Sequence, residues 1–318
     1  MKRGHAVLVL PAGSFGAIAD EGARRWLSRG RVAFRQPNEE VLCRVARYLG
    51  VSPPQEGLAA LRAWGESGTR PDYWLAAADP VHLETRLREL RVRAFGPGEI
   101  ADGERKALIA RLQGELGGGD CEFINVGKSG YVSATSGFAA STVSAAVAEG
   151  HVPDRFFPVG PRAADFHRLL SEVQMLMHDD EVNRARAARG DAVVNSLWIW
   201  GAGRAPAAVN VRLPRLFSND PLFTGFWASA GSPGTSWPGS LAACLEDDGG
   251  FVATLPEVPR ESAAGSLQDT LGSLRKLVQR REIRTATLFF RDGLHIEFRR
   301  FDRLRAWRTS SPHLRVPA

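Results

Sequence analysis

Ser14 is the first residue whose setting is compatible with catalysis. It stands in the string AGSFG, between an apolar run at 5–10 and an amphipathic run at about 20–28. A nucleophile elbow needs G-x-S-x-G at a strand-to-helix turn, and Ala12 replaces the first glycine here. The position suits a serine nucleophile, an anion held by the loop amides at the helix start, or an ordinary helix cap.

The string VGKSG at 126–130 ends like a phosphate-binding loop. That loop requires a glycine five residues before Gly127, where this chain has Glu122. A carboxylate at that point would repel phosphate. Apolar-rich arms lie on both sides, so the pattern predicts a β-hairpin over 121–134 with its turn at 127–130.

Acidic and imidazole side chains are scattered, and none has a diagnostic metal-binding spacing. The chain contains no H-E-x-x-H string and no pair of histidines four apart on one helix. We therefore expect no metal site and no cofactor. The pairings that come nearest are Asp79 with His82, Asp165 with His167, His178 with Asp179 and Asp180, and Asp292 with His295.

Length and cysteine content indicate an intracellular globular protein. A chain of 318 residues can bury a full core without covalent staples. Cys43, Cys121 and Cys244 are odd in number and far apart, which argues against a disulfide framework. The apolar run near the N-terminus is too short to span a bilayer. We expect a cytoplasmic protein that does not contact a membrane.

The positive charge is concentrated in one segment. Arginine supplies 37 of the 41 basic residues, and the formal net charge is +6. Residues 275–308 contain eleven basic and four acidic residues, so the remainder of the chain is almost neutral. A basic surface can attract nucleic acid, but a charge run more often marks a solvated face, and nucleic acid is not the partner we expect.

Hydrophobic periodicity predicts an α/β fold. Its expected form is a mixed, mainly parallel buried sheet flanked by helices, with peripheral β-hairpins. We expect a single domain over 1–318, with two lobes that meet near residue 136 as a variant. The predicted elements are strands at 5–10 and 73–77, helices at 20–28, 39–49, 55–64, 98–116, 162–177 and 266–281, a helix after Asp79-Pro80, a central buried strand in VVNSLWIWGAG, and a final hairpin turning at Asp292-Gly293.

The segment 171–203, SEVQMLMHDDEVNRARAARGDAVVNSLWIWGAG, resembles part of the archaeal-type cofactor-independent phosphoglycerate mutases. In both, a helix leads to V-N-x-x-R, then to an asparagine, an apolar strand and G-x-G. With the N-terminal strand, the DYWLAAADPVHLE string and the last hairpin added, nearly the whole chain resembles bacterial regulatory proteins of the RpfE type. The residues that carry the resemblance are Val182, Asn183, Arg186, Asn195, Gly201 and Gly203.

The resemblance implies an alkaline-phosphatase-like core, in which Asp and His residues hold two divalent metals and a serine carries the phosphoryl group. This chain has LPAGSFG where that family has Asp-Gly after the first strand, and it lacks an Asp-His-Gly run near its C-terminus. We expect a degenerate core and a regulatory or accessory protein without enzyme activity. The alternatives are a nucleic-acid-binding regulator and a mutase or phosphatase with atypical ligands drawn from Asp79, His82, Asp165, His167 and His178.

The candidate ligand site is built from the same segment. Asn183 and Arg186 are three residues apart and share a helix face, where an amide beside a guanidinium suits a carboxylate or phosphate. Asn195 and the backbone of Gly201 and Gly203 could complete the pocket, together with Ser14. The expected ligand is a small phosphorylated or carboxylated metabolite. The purely structural alternative has Asn183 as a cap and Arg186 paired with Asp179 or Asp180.

Overall fold

The structure is a computed structural model. It describes residues 4–87, 89–160, 163–207, 211–245, 249–299, 301–302, 305 and 311–315. In chain order the elements are β1 His5–Leu10, α1 Glu21–Leu27, β2 Arg31–Phe34, α2 Val41–Tyr48, α3 Leu58–Ser67, β3 Leu75–Thr85, β4 Leu90–Ala94, α4 Asp102–Leu116, β5 Cys121–Val126, β6 Ser129–Ala134, α5 Ala145–Ala148, α6 Ala163–His178, α7 Glu181–Arg189, β7 Ser196–Gly203, β8 Arg215–Phe217, α8 Pro221–Ser229, β9 Phe251–Thr254, α9 Arg260–Gln279, β10 Thr285–Phe290 and β11 Leu294–Phe298.

The chain divides into two compact units. Unit 1 contains residues 1–52, 210–220 and 230–318, and unit 2 contains residues 53–209 and 221–229. The short helix α8 therefore belongs to unit 2, although the residues on either side of it belong to unit 1. The expectation of a single domain, with lobes meeting near residue 136, stays a prediction.

Unit 1 is built on a six-stranded sheet of order β2-β11-β10-β1-β9-β8. β1 runs parallel to β10 and β9, and β9 runs parallel to β8. β11 is antiparallel to β10 and β2. The continuous apolar run of β1 is buried from Ala6 to Leu10, as expected of a parallel strand covered on both faces. The predicted mixed, mainly parallel sheet flanked by helices is confirmed, and so is the hairpin at Asp292-Gly293.

Unit 2 is built on a five-stranded antiparallel sheet. β3 pairs with β7, and it also pairs first with β6 and then with β4. β5 and β6 form the predicted hairpin, with its turn at Gly127 and Lys128. Helices α4 and α6 cover this sheet with apolar side chains such as Leu108 and Phe166.

Two predictions about unit 2 are wrong. No helix follows Asp79-Pro80, because β3 continues to Thr85. Pro80 cannot donate a backbone hydrogen bond, but it falls between the residues of β3 that pair with β6 and those that pair with β4. The second error concerns β7, which is buried as predicted but pairs with β3 in the antiparallel sheet and is not the centre of the parallel one.

The polar segment after α6 forms a further helix. Asp180 is the N-cap of α7, and its Oδ1 accepts the N–H of Val182 at 2.7 Å. Its Oδ2 lies 2.9 Å from Nη1 of Arg111 on α4. Within the part of the chain that the structure describes, no helix has the length and apolar content needed to cross a membrane.

Replacing the α7 cap should destabilise unit 2. Asp180 is 4 % exposed, so Asp180→Ala removes a buried hydrogen bond to the helix start together with the partner of Arg111. We expect a loss of about 1–2 kcal/mol in the free energy of urea unfolding. Asp180→Asn keeps an oxygen at the cap and should lose less. Equal losses in the two variants would show that the charge, and not the cap, stabilises α7.

Candidate functional site

The strands β10, β1, β9 and β8 are parallel, so their carboxyl ends lie at one edge of the unit 1 sheet. Ligands of open α/β sheets usually bind at this edge. The segments that leave it carry polar residues that could perform chemistry. They are Ser14 after β1, Asp220 after β8, Glu257 after β9, and Arg291 and Asp292 after β10.

Asp292 ties the loop after β1 to the final hairpin. Its Oδ2 accepts the backbone N–H of Gly13 at 2.8 Å and that of Ser14 at 2.7 Å. Its Oδ1 accepts the N–H of Leu294 at 3.2 Å. The loop amides hold an anion, as one interpretation of Ser14 suggested, but that anion is a carboxylate of the same chain. Ser14 does not cap α1, because Asp20 does.

Arg291 neutralises two carboxylates at the same edge. Its Nη2 lies 2.7 Å from Oδ2 of Asp220, and its Nε lies 3.0 Å from Oε1 of Glu257. Burial opposes the charge on this side chain, but the carboxylates of Glu257 and Asp220 outweigh it and raise the pKa of Arg291. Arg291 is therefore a permanent cation between these two acidic side chains.

In unit 2, the asparagines of the candidate site bind backbone groups. Asn183 is buried, and its Nδ2 donates to the carbonyl oxygens of Met177 at 2.7 Å and Val194 at 2.6 Å. Its Oδ1 accepts the N–H of Val194 at 2.7 Å. Asn195 holds β3 in the same way, accepting from the N–H of Leu83 at 2.6 Å and donating to its carbonyl at 3.0 Å.

Arg186 is buried and also bound within the protein. Its Nη1 lies 2.6 Å from Oε2 of Glu104, while its Nε and Nη2 donate to the carbonyls of Ala192 and Glu99. The carboxylate partner is thus Glu104, and neither Asp179 nor Asp180. Arg186 lines a surface cavity of about 470 Å³ whose other charged side chains are Arg93, Arg189, Glu99, Glu104 and Asp191. These charges balance, so the cavity has no excess positive charge to attract an anion.

Gly201 and Gly203 allow β7 to approach the start of α3. Gly201 has φ +64, and a Cβ there would lie 3.0 Å from the backbone nitrogen of Ala59. A Cβ at Gly203 would lie 2.6 Å from the nitrogen of Gly57, whose N–H donates to the carbonyl of Ala202. The two glycines therefore serve a close backbone contact. Ser14 lies in unit 1 and the other five candidate residues lie in unit 2.

The acidic and imidazole side chains of the described residues do not assemble. No three or more His, Cys, Asp or Glu side chains among them form a group that could hold a metal ion. The five atypical ligands considered from sequence are all among the described residues and are not brought together. His82 bonds through Nδ1, at 2.9 Å, the carbonyl of Val193, which is 111 residues away in the chain.

Comparison with known proteins finds relatives over part of the chain. No protein-family model matches. A 2,3-bisphosphoglycerate-independent phosphoglycerate mutase from Methanosarcina barkeri is 26% identical over 136 residues, which cover 41% of this chain and 34% of the mutase. A probable enzyme of the same name from Geobacter sulfurreducens is 27% identical over 128 residues, covering 40% and 32%. Part of this chain is distantly homologous to these mutases. The aligned part spans about a third of their length.

Two solved structures are similar over most of the chain. A cofactor-independent phosphoglycerate mutase from Thermoplasma acidophilum covers 94% of this chain and 90% of its own, with a TM-score of 0.41 and 14% identity. That score is too low to support an argument. The PH0037 protein from Pyrococcus horikoshii covers 93% of this chain and 88% of its own, with a TM-score of 0.50 and 12% identity. At such identity the likeness concerns the fold alone.

Sequence reasoning missed a polar cluster in unit 2 that is centred on Arg62. Its guanidinium binds both carboxylate oxygens of Asp79, at 2.8 and 3.1 Å, and donates to the hydroxyl of Tyr131 at 3.0 Å. Asp79 also accepts from Nε1 of Trp200 at 2.6 Å. Burial raises the pKa of Tyr131 to about 12. Arg62 and Glu66 are four residues apart on one helix face, and this spacing was the only sequence signal for the cluster. Nothing in the sequence links the two residues to β3, β6 and β7.

Removing the Asn183 amide tests whether this residue holds the fold. Asn183→Ala leaves buried backbone groups of Met177 and Val194 without partners, so we expect a loss of about 2–4 kcal/mol in the free energy of unfolding. Arg184→Ala on the same helix changes an exposed side chain and should stay within about 0.5 kcal/mol of the parent. A stable Asn183→Ala protein would return this side chain to the list of ligand-binding candidates.

Glu66 should make unit 2 less stable as the pH rises. Its Oε1 accepts from the hydroxyl of Ser129, its Oε2 is buried with no partner among the described residues, and burial raises its pKa above the ordinary 4.5. The folded protein therefore binds this proton more tightly than the unfolded chain does. The resulting stability is complete below about pH 4.5 and is lost as the pH rises through the folded-state pKa.

Glu66→Gln should remove that component, so urea unfolding between about pH 4 and about pH 8 should show a flatter stability profile. Glu122→Gln makes the same charge change at an exposed position and serves as the control. Identical pH profiles for the parent and the Glu66→Gln variant would contradict the assignment.

Proposed function

We propose that this chain is a non-catalytic regulatory or accessory protein that shares ancestry with metal-dependent phosphoglycerate mutases. One observation carries the proposal. The carboxylates at the carboxyl edge of the unit 1 sheet are bound to groups of the chain itself, Asp220 and Glu257 to Arg291, and Asp292 to the amides of Gly13 and Ser14.

Catalysis with two metals needs carboxylate and imidazole ligands that converge on the attacking and leaving oxygens. A divalent ion bound by Asp220 and Glu257 would compete with the Arg291 side chain, which is 26% exposed and already paired with both carboxylates. It would also compete with the amides of Gly13 and Ser14, which both donate to Oδ2 of Asp292. Among the described residues of unit 1, no group of three or more His, Cys, Asp or Glu side chains could hold a metal ion, which supports the proposal.

The mutase activity named for the two relatives is the main alternative for this chain. That activity would require atypical metal ligands. Asp79 is a poor candidate ligand, because both of its carboxylate oxygens already accept hydrogen bonds from Arg62 and Trp200. A role like that of the RpfE-type regulatory proteins, in the cytoplasm, is part of the proposal. A free carboxylate or phosphate at Arg186 would have to compete with Glu104, which already binds that guanidinium.

Metal and activity measurements test the proposal. The purified full-length chain, incubated with Mn²⁺, Mg²⁺ or Zn²⁺ and then desalted, should retain less than about 0.1 ion per chain by elemental analysis. With each metal present, it should not interconvert 2- and 3-phosphoglycerate. A metal-dependent mutase assayed in parallel shows that the reagents work.

Ser14→Ala provides the matched control. The mutase resemblance implies a mechanism in which a serine at this position carries the phosphoryl group. Interconversion that requires added metal, disappears with EDTA and is lost in Ser14→Ala would reject the proposal. Stoichiometric metal retained without turnover would also reject the part of it that concerns the donor set.

A further inference from the structure

The C-terminal end of α9, from Arg275, and the residues that follow the helix carry five basic side chains, which we call the α9 basic turn. All five are exposed. None of them forms an ion pair with any other residue that the structure describes. The apolar residues between them, Leu277, Val278 and Ile283, are buried and hold the helix on the unit 1 core. The members of the α9 basic turn are Arg275, Lys276, Arg280, Arg281 and Arg284.

The backbone fixes the position of these side chains. The helix ends in a Schellman motif, in which the N–H of Glu282 bonds the carbonyl of Leu277 and the N–H of Arg281 bonds that of Val278. Lys276 and Arg280 are four residues apart and so share one helix face. Arg284 begins the connection to β10, where its N–H donates to the carbonyl of Gly4 at 2.8 Å.

Arg281 occupies a position that favours glycine. It has φ +65, the left-handed conformation of the residue that follows a helix in this motif. A side chain is strained there, and glycine would relieve the strain. Lys276 in the last turn already supplies the cation that complements the helix dipole. Arg281 is exposed and forms no ion pair with the described residues, so the strained position motivates a functional hypothesis for its charge.

We propose that the α9 basic turn binds the phosphodiester backbone of a nucleic acid. Four of its five cations are arginines, whose planar forks bind phosphate oxygens in pairs. It exposes no apolar side chain that could enter a bilayer, and no aromatic anchor of the kind that stabilises protein interfaces. The absence of aromatic residues in 275–284 also predicts binding without base stacking or sequence preference.

The assay is fluorescence anisotropy of the full-length chain with labelled duplex DNA and, separately, duplex RNA of about 20 base pairs. We expect a Kd of about 1–100 μM at physiological salt for one or both duplexes, independent of sequence. The logarithm of the affinity should fall with the logarithm of the salt concentration with a slope no steeper than about −4.5, which corresponds to five phosphate contacts.

Arg281→Gly separates binding from folding. It should weaken binding about fivefold to tenfold at about 0.1 M salt and lower the salt slope by about 0.9, the contribution of one contact. It should also raise the thermal midpoint by about 1–3 °C, because it relieves the left-handed strain. Arg281→Lys keeps the charge and should leave binding close to the parent. A residue with a purely structural role would change stability alone.

The double variant Arg168→Gln with Arg184→Gln is the control for net charge, since it removes two exposed arginines from unit 2. It should bind the duplex like the parent, whereas Arg280→Gln with Arg284→Gln should lower the salt slope by about 1.8. The proposal is overturned if the two double variants bind alike, if the affinity is insensitive to salt, or if phosphatidylserine vesicles or polyglutamate bind as tightly as the duplexes. It is independent of the metal and mutase measurements.

Discussion

The compensation of carboxylate charge by the chain's own arginines is the interaction on which both units depend. A carboxylate withdrawn from water needs a cation or several N–H donors, because the unpaired charge is costly in a medium of low dielectric constant. In unit 1 Arg291 serves Asp220 and Glu257, and in unit 2 Arg62 serves Asp79 while Arg186 serves Glu104. Arginine suits this role, since its guanidinium stays protonated and presents donors in a fixed fork.

This compensation limits the chemistry that the fold can perform. A carboxylate oxygen that already accepts from an arginine or an amide has fewer lone pairs left for a metal ion or a substrate proton. The carboxyl edge of the parallel sheet is where an open α/β sheet usually places its reacting groups. In the described residues that edge carries Ser14, Asp220, Glu257 and Asp292, and each of these carboxylates has a partner within the same unit.

Sequence reasoning succeeded where a segment's own residues determine its structure. The β1 run of apolar residues, the Asp292-Gly293 turn and the Gly127–Gly130 turn each contain their signal locally, and the structure confirms them. It failed where pairing with residues far away in the sequence determines the structure. Asp79-Pro80 predicts the end of a strand, yet β3 continues through these residues because it pairs there with β7. Pro80 has no backbone N–H, but it lies between the residues of β3 that pair with β6 and those that pair with β4.

The candidate site shows the same division. Asn183 and Arg186 do share a helix face, as their spacing requires, but spacing cannot say what that face meets. Their partners are Val194 and Glu104, eleven and 82 residues away in the chain. From sequence, Arg291 could be recognised only as one member of a basic run. Its partners Asp220 and Glu257 lie in the segments that follow β8 and β9, so sequence does not reveal the pairing. Arg281 differs from Arg291 in one respect that sequence alone cannot reveal: its φ is positive, so the backbone is strained by the side chain that it carries. An arginine with a carboxylate partner inside the fold contributes to stability through that pair, whereas Arg281 is exposed and carries a positive φ, so its charge is free for the contact proposed above.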